Sequence, residues 1–243
     1  MSNKPFLTAH WHTLVMLNYV VAPELIQHLV PAGTELDTWQ GRHYVSMVGF
    51  RFEQTRVRGW AIPFHQHFDE VNLRMYVRKR DANGWRRGVV FVKEIVPRWV
   101  IATVARVVYN ENYITLPMQS IAKTSTEDQK GEAKYRWKWN GHWCELGADF
   151  TGQPVLPSEG SEEQFITEHY WGYVTQRHGS VVEYEVKHPS WRIWKADRSW
   201  LNGELTGLYG PKLEEIVKQP AASAFIAEGS AISVSRAAKL PSV

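Results

Sequence analysis

Residues 88–117, GVVFVKEIVPRWVIATVARVVYNENYITLP, constrain the fold more than any other part of the sequence. Val89, Val90, Phe91, Val92, Ile95 and Val96 make a nearly unbroken β-branched and aromatic run, the pattern of a strand covered on both faces. Lys93 and Glu94 interrupt that run. Neighbours on a strand point to opposite faces, so one of the two must enter whatever the strand encloses. An ionisable group in a covered strand is costly unless satisfied, which makes the pair a pointer to a functional site. Pro97 ends the run, because it has no N–H for the ladder and suits the first turn of a helix. Val100, Ile101, Val104, Val107 and Val108 then recur as one helical stripe. Asn110-Glu111-Asn112 stops the helix, and residues 113–116 form the next strand.

The segment before this stretch supplies its partner. Residues 68–78 alternate strictly, with Val71, Leu73, Met75 and Val77 on one face and Glu70, Asn72, Arg74 and Tyr76 on the other. Asp81-Ala82-Asn83-Gly84 turns the chain back, which predicts a hairpin. Facing residues of an antiparallel pair have a constant index sum. An even sum places Glu94 on the face of Glu70 and Arg74; an odd sum places Lys93 there. The ordinary reading of Glu70, Asn72, Arg74 and Tyr76 is a solvated face. The partner strand, covered on both sides, argues instead for a closed barrel with a polar lumen.

Along the rest of the chain the pattern predicts strands at 14–21, 35–39, 43–52, 133–139, 142–150, 181–188, 193–196, 205–208 and 231–235, and helices at 23–30 and 211–218. Ser161-Glu162-Glu163-Gln164 fits a capping box opening a third helix, with Phe165, Ile166, Tyr170, Tyr173 and Val174 on its apolar face. Residues 55–67 and 118–131 read as loops. The sum is one mainly β (α+β) domain spanning 1–243, a closed or cone-like antiparallel barrel with three or four peripheral helices. The 12 tryptophans among 243 residues provide rigid material for β packing and a pocket wall.

Other chemistries find little support. A net charge of +3 does not argue for nucleic acid. The Lys134, Arg136, Lys138 stripe alternating with aromatics reads as an amphipathic strand rather than a nucleic-acid surface. The single cysteine, Cys144, excludes an internal disulfide and a multi-thiolate zinc site, and fits a reducing cytoplasm. No apolar run is long enough to cross a bilayer. His10/His12 and His65/His67 have i, i+2 spacing, but no metal motif accompanies them, and no metal or cofactor is expected. His188, at a strand end before Pro189, is a pocket candidate. Gly-rich phosphate loops and the GxSxG elbow are absent.

The segments TAHWHTLVMLNYVVAPELIQHLVPAGTELDTWQGRHYVSMVGFRF, DEVNLRMYVRK, GVVFVKEIVPRWVIATVARVVYNENY and EVKHPSW, in this order, resemble the YqjF-like family of bacterial proteins. That resemblance implies the acetoacetate-decarboxylase-like fold, a β-rich cone-like barrel around a ligand cavity. In the decarboxylases a motif of the form R-E-(L/I)-x-G-x-P-K-K carries the imine-forming lysine, whose pKa an adjacent lysine depresses. The nearest text here is Lys93-Glu94-Ile95-Val96-Pro97-Arg98-Trp99, with Arg98 and Trp99 where the lysines would stand. An arginine stays protonated and forms no imine.

The reading is therefore a cytoplasmic protein that binds a small organic acid or carbonyl compound in its lumen, as a lyase-like enzyme or as a non-catalytic carrier. Glu94 and Glu70 are the candidate acid/base groups. Arg74, Tyr76, Lys93, Arg98 and His188 are the candidate ligand contacts, with Arg74 or Arg98 as the anion clamp. Neither a membrane nor a nucleic acid is an expected partner, and the sequence is compatible with a homo-oligomer.

Overall fold

A computed structural model describes residues 4–82, 84–108, 110–125 and 129–240; the side chains of residues 104–108 and 124–125 lie outside the description. In chain order the elements are β1 (Leu7–Val21), α1 (Pro23–Ile26), β2 (Glu35–Leu36), β3 (His43–Val57), β4 (Trp60–Ala61), β5 (Phe68–Asp81) and β6 (Gly84–Val96). Next come α2 (Trp99–Val108), β7 (Tyr113–Thr115), β8 (Met118–Ser125), β9 (Lys130–Trp139), β10 (His142–Thr151) and α3 (Glu162–Thr167). The chain closes with β11 (Trp171–Thr175), β12 (Val181–Lys187), β13 (Ile193–Asn202), α4 (Pro211–Val217), β14 (Ser223–Val234) and β15 (Ala238–Lys239).

Strands β12, β11, β6, β5, β3, β1 and β14 follow one another, and a short β12–β14 pairing returns the row to its start. The result is a cone-like ring, antiparallel except where β11 lies parallel to β6. Beyond β14 the sheet continues through β13, β10, β9 and β8 as a second layer. One face of β1, β3 and β5 packs on that layer, burying Val15, Met47, Leu73 and Met75 together with Tyr135, Trp137 and Leu146. The other face, with Leu14, Val48, Phe50 and Phe68, turns into the ring. This arrangement covers both sides of β5: Val71, Leu73, Met75 and Val77 are fully buried, and so are Glu70, Asn72 and Tyr76. The solvated-face alternative for β5 is thereby excluded.

Several sequence expectations change in detail. The third helix does not reach Tyr173 and Val174. The Ser161 hydroxyl caps it by accepting from Gln164 N, but it stops at Thr167, whose hydroxyl donates to the Glu163 carbonyl. Tyr173 and Val174 belong to β11. Residues 118–125 form an edge strand rather than a loop, paired with β9 from Met118↔Trp137; a polar edge strand carries little apolar alternation to reveal it. Residues 205–208 form a turn, closed by Leu208 N donating to Leu205 O, with both leucines buried beneath it. Of the expected α2 stripe, Ile101 is buried, while the side chains of Val104, Val107 and Val108 lie outside the described residues. On β9, Ala133, Tyr135 and Trp137 point inward, and Lys134 and Arg136 pair with Glu132 and Glu145. No helix among the described residues is long and apolar enough to cross a membrane.

Candidate functional site

The ring encloses a cavity of about 130 Å³. Its wall is mostly apolar and aromatic, with Trp11, Phe50, Phe68, Phe91, Trp171 and Trp191 among the lining residues. Into this wall the β5–β6 hairpin sets its charged groups. The register runs Val71↔Ile95, Asn72↔Glu94, Leu73↔Lys93, an even index sum, so Glu94 takes the cavity face with Glu70 and Asn72. Lys93 takes the opposite face with Leu73 and is not among the lining residues. A bulge after Leu73 then changes the parity to Arg74↔Phe91, which lets Phe91 and Val89 face inward as well as Glu94.

Glu70, Glu94 and Glu111 gather in the cavity around Tyr113, and all three carboxyls are buried. Asn72 Nδ2 donates to Glu70 Oε1 at 2.9 Å, and the Tyr113 hydroxyl donates to Glu70 Oε2 at 3.1 Å. The Tyr184 hydroxyl donates to Glu111 Oε1 at 2.8 Å. Burial pushes the Glu70 carboxyl up to about 7 against the hydrogen bonds that favour its charge. Burial and the charge of Glu70 push Glu111 up to about 8. Glu94 lies well above the usual carboxylate range, through burial first and the charges of Glu111 and Glu70 next. Carboxyls that repel one another in a dry site share protons instead of ionising together. No three His, Cys, Asp or Glu side chains among the described residues are arranged to hold a metal ion.

Glu111 comes from the turn that ends α2, which the sequence presents only as a helix stop. Asn110 there adopts a left-handed φ of 60°, a conformation asparagine tolerates, and donates from Nδ2 to the Thr175 carbonyl. Asn112 Nδ2 donates to Val92 O at 2.7 Å. These two bonds pin the turn to β11 and β6 and so hold Glu111 in the cavity.

Arg74 also lines the cavity, with no carboxylate among the described residues within 4.0 Å of it. Its Nη2 donates to Ile166 O, and its Nε to the Tyr76 hydroxyl at 3.3 Å. Tyr76 does not line the cavity; it stands behind Arg74. Because the Ser46 hydroxyl donates to Asn18 Oδ1 at 2.7 Å, the 2.6 Å contact between Tyr76 and Ser46 requires Tyr76 to donate. Asn18 Nδ2 continues to Ser223, and Ser223 donates to Glu162, which the Tyr44 hydroxyl also reaches. All the bonds of this chain point one way, from a guanidinium to a carboxylate, which satisfies Asn18 and Ser46 at zero exposure.

His188 lines the cavity, stacked on Trp191 with centroids 3.9 Å apart, and its Nδ1 donates to the Pro189 carbonyl. Burial lowers it to about 4, so the ring is neutral. Arg98 departs from expectation: it is exposed at the start of α2 and does not reach the cavity. The histidine pairs stand apart as well, His10 stacking on His12 and His65 bonding Pro63 O.

Among the lining residues outside the sequence expectation are His169 and Glu111. The imidazole of His169 shares Asp37 with Arg87: His169 Nε2 lies 3.1 Å and Arg87 Nε 2.7 Å from Asp37 Oδ2. Burial acts to raise Asp37, but the hydrogen bonds from His169 and Arg87 outweigh it and hold the carboxylate at about 2. His169 is lowered to about 4, by burial above all. No lysine is among the described lining residues.

The sequence matches the DUF2071 family, described as an uncharacterized conserved protein, over residues 8–231. It is 25% identical over 208 residues to the uncharacterized protein YqjF of Bacillus subtilis, covering 84% of this chain and 82% of that one. Among solved structures, acetoacetate decarboxylase of Legionella pneumophila superposes with a TM-score of 0.69 at 10% identity, over 98% of this chain and 87% of that one. The enduracididine biosynthesis enzyme MppR, complexed with pyruvate, gives 0.72 at 14% identity, over 98% and 91%. At such identities the likeness is one of fold.

Proposed function

We infer for this chain, which belongs to the DUF2071 family, that it binds a small organic acid or carbonyl compound in its ring and acts on it by acid/base chemistry without a covalent enzyme intermediate. The observation that carries this reading is the composition of the cavity: three buried carboxyls and an arginine in an aromatic wall, with no lysine among the described lining residues. Structures of the same fold include a decarboxylase and an enzyme complexed with pyruvate, which favours a ligand of that size and class.

Arg74 suits the carboxylate end of such a ligand, since its planar fork matches two oxygens and the Tyr76 chain fixes its direction. Glu70, Glu94 and Glu111 suit the reacting end. A protonated carboxyl donates to a carbonyl or leaving hydroxyl oxygen, and an ionised neighbour takes a proton from carbon. Such a lyase-like step asks for no bond between ligand and protein. Among the described residues imine chemistry lacks its nucleophile, because no lysine lines the cavity and Lys93 is on the other face of its strand. The reducing cytoplasm suits a chain whose one cysteine is buried and whose thiol burial raises to about 11.

The test takes small 2-oxo and 3-oxo acids, screened by thermal shift, and follows each binder by proton NMR in deuterium oxide with and without borohydride. The expected result is exchange of the carbon-bound protons next to the carbonyl, lost in Glu94→Gln, and no reduced adduct. Binding without exchange or turnover would make the protein a carrier. A borohydride-trapped lysine adduct would overturn the non-covalent reading.

A further inference from the structure

We propose that His169, fixed by Asp37, is a hydrogen-bond acceptor for a hydroxyl group of the ligand, so that the cavity selects hydroxy acids over acids lacking the hydroxyl. The proposal rests on the reading of the cavity as an acid-binding site and names the substrate class within it.

His169 lies on the link between α3 and β11, where its side chain is 1% exposed and lines the cavity. The Asp37 side chain behind it is 2% exposed and saturated with donors: Arg87 Nε and His169 Nε2 on Oδ2, Thr38 N at 2.8 Å on Oδ1, and Arg78 Nη1 3.8 Å from Oδ1. A carboxylate in such company is an acceptor only. Nε2 must therefore carry the proton of the neutral ring, and Nδ1 is left with a bare lone pair. That Nδ1 is buried and has no partner among the described residues. The rings of Tyr76 and Phe165, with centroids 4.8 and 4.9 Å from the imidazole, flank it without offering a donor. A buried acceptor with no donor is costly, and a ligand O–H removes that cost.

The place of this acceptor fixes where the hydroxyl must be. Arg74 and His169 flank the same tyrosine: the guanidinium carbon is 5.4 Å from the Tyr76 ring centroid, and the imidazole centroid is 4.8 Å from it. The two groups are therefore close enough for one small ligand to place a carboxylate on Arg74 and a hydroxyl on His169. Asn72 Oδ1 is another bare acceptor of the lining, but it stands beside Glu70 on the carboxyl side.

The experiment measures binding of lactate and 3-hydroxybutyrate against propionate and butyrate by calorimetry, on the full chain and on His169→Phe and Asp37→Asn. The hydroxy acids are expected to bind about tenfold more tightly, the worth of one well-placed hydrogen bond. That preference should vanish in His169→Phe. In Asp37→Asn the amide donates to Nε2 and drives the proton to Nδ1, which turns the acceptor into a donor. Nitrogen-15 NMR of the imidazole reads this tautomer directly in the free protein and keeps the test alive should His169→Phe fail to fold. Equal binding of both series, a preference that survives His169→Phe, or a protonated Nδ1 in the unmodified protein would overturn the inference and leave the acid pocket standing. Binding of neither series would remove the acid-pocket reading and this inference together.

Discussion

Ser46 has zero exposure and is one link in a chain of donors that starts at Arg74, and a single oxygen decides whether that chain holds. Ser46→Ala leaves Asn18 Oδ1 without its donor and the Tyr76 hydroxyl without its acceptor. The expected loss is about 1–3 kcal/mol in chemical denaturation, the cost of stranding a buried polar group. An unchanged midpoint would show that the chain is not made. The carboxyls have a pH signature at the same scale. Glu70 and Glu111, held at about 7 and about 8, keep protons in the folded chain that the unfolded chain releases once the pH passes about 4.5. Folding is therefore favoured at low pH, and that advantage is lost as the pH rises through 7 and 8. His169 and His188, lowered to about 4, act in the opposite sense, but only between about 4 and 6.5. Above pH 6.5 the carboxyls decide the slope. Thermal midpoints should fall from pH 6.5 to 9, and the fall should flatten in Glu70→Gln and Glu111→Gln. A midpoint that rises over this range would contradict the protonated cluster.

Among the elements, the meeting of β6 with β11 ties the cavity to His169. Gly88 pairs with Trp171 there, and a Cβ on Gly88 would lie 2.5 Å from the Trp171 carbonyl oxygen, a backbone atom that cannot move aside. Gly88→Val should force the two strands apart, cost about 1–3 kcal/mol and weaken ligand binding, because β11 begins two residues after His169. Calorimetry on the variant checks both effects; a stable variant with unchanged binding would mean that β11 does not position the histidine. Elements of this kind show how far the sequence could be read. The alternation of β5 and the apolar run of β6 announced a hairpin with a polar inner face, and Glu70, Glu94 and Arg74 do meet in the cavity. The bulge after Leu73 could not be anticipated, because a parity change leaves no mark in composition. Glu111 and His169 were hidden for a related reason. Both sit on irregular links, where no period tells inside from outside, and only long-range partners such as Asp37 and Tyr184 draw them in. Of the alternatives that the hairpin left open, the even register puts Lys93 on the face away from the cavity, and Arg98, chosen from the family motif, lies beyond the end of the strand and does not line the cavity.

At the scale of the molecule, β1, β3 and β5 belong to two cores at once, packing on the second layer with one face and walling the cavity with the other. Each layer thus rests on a face of the same three strands. We therefore expect residues 1–243 to unfold in one cooperative transition, with calorimetric and van't Hoff enthalpies in agreement; two resolved transitions would indicate separable domains. The same double burial raises the carboxyls of Glu70, Glu94 and Glu111. Within the seven-stranded ring, burial thus raises Glu70 to about 7, Glu111 to about 8 and Glu94 well above the usual carboxylate range. Carbon-13 NMR titration of the protein labelled at its glutamate side-chain carboxyls tests this most directly. Resonances that disappear one by one in Glu70→Gln, Glu94→Gln and Glu111→Gln should titrate well above the usual carboxylate range, those of Glu70 and Glu111 at about 7 and about 8. Titration of all glutamates together near 4.5 would contradict the account, since the cavity would then hold carboxylates with no proton to transfer.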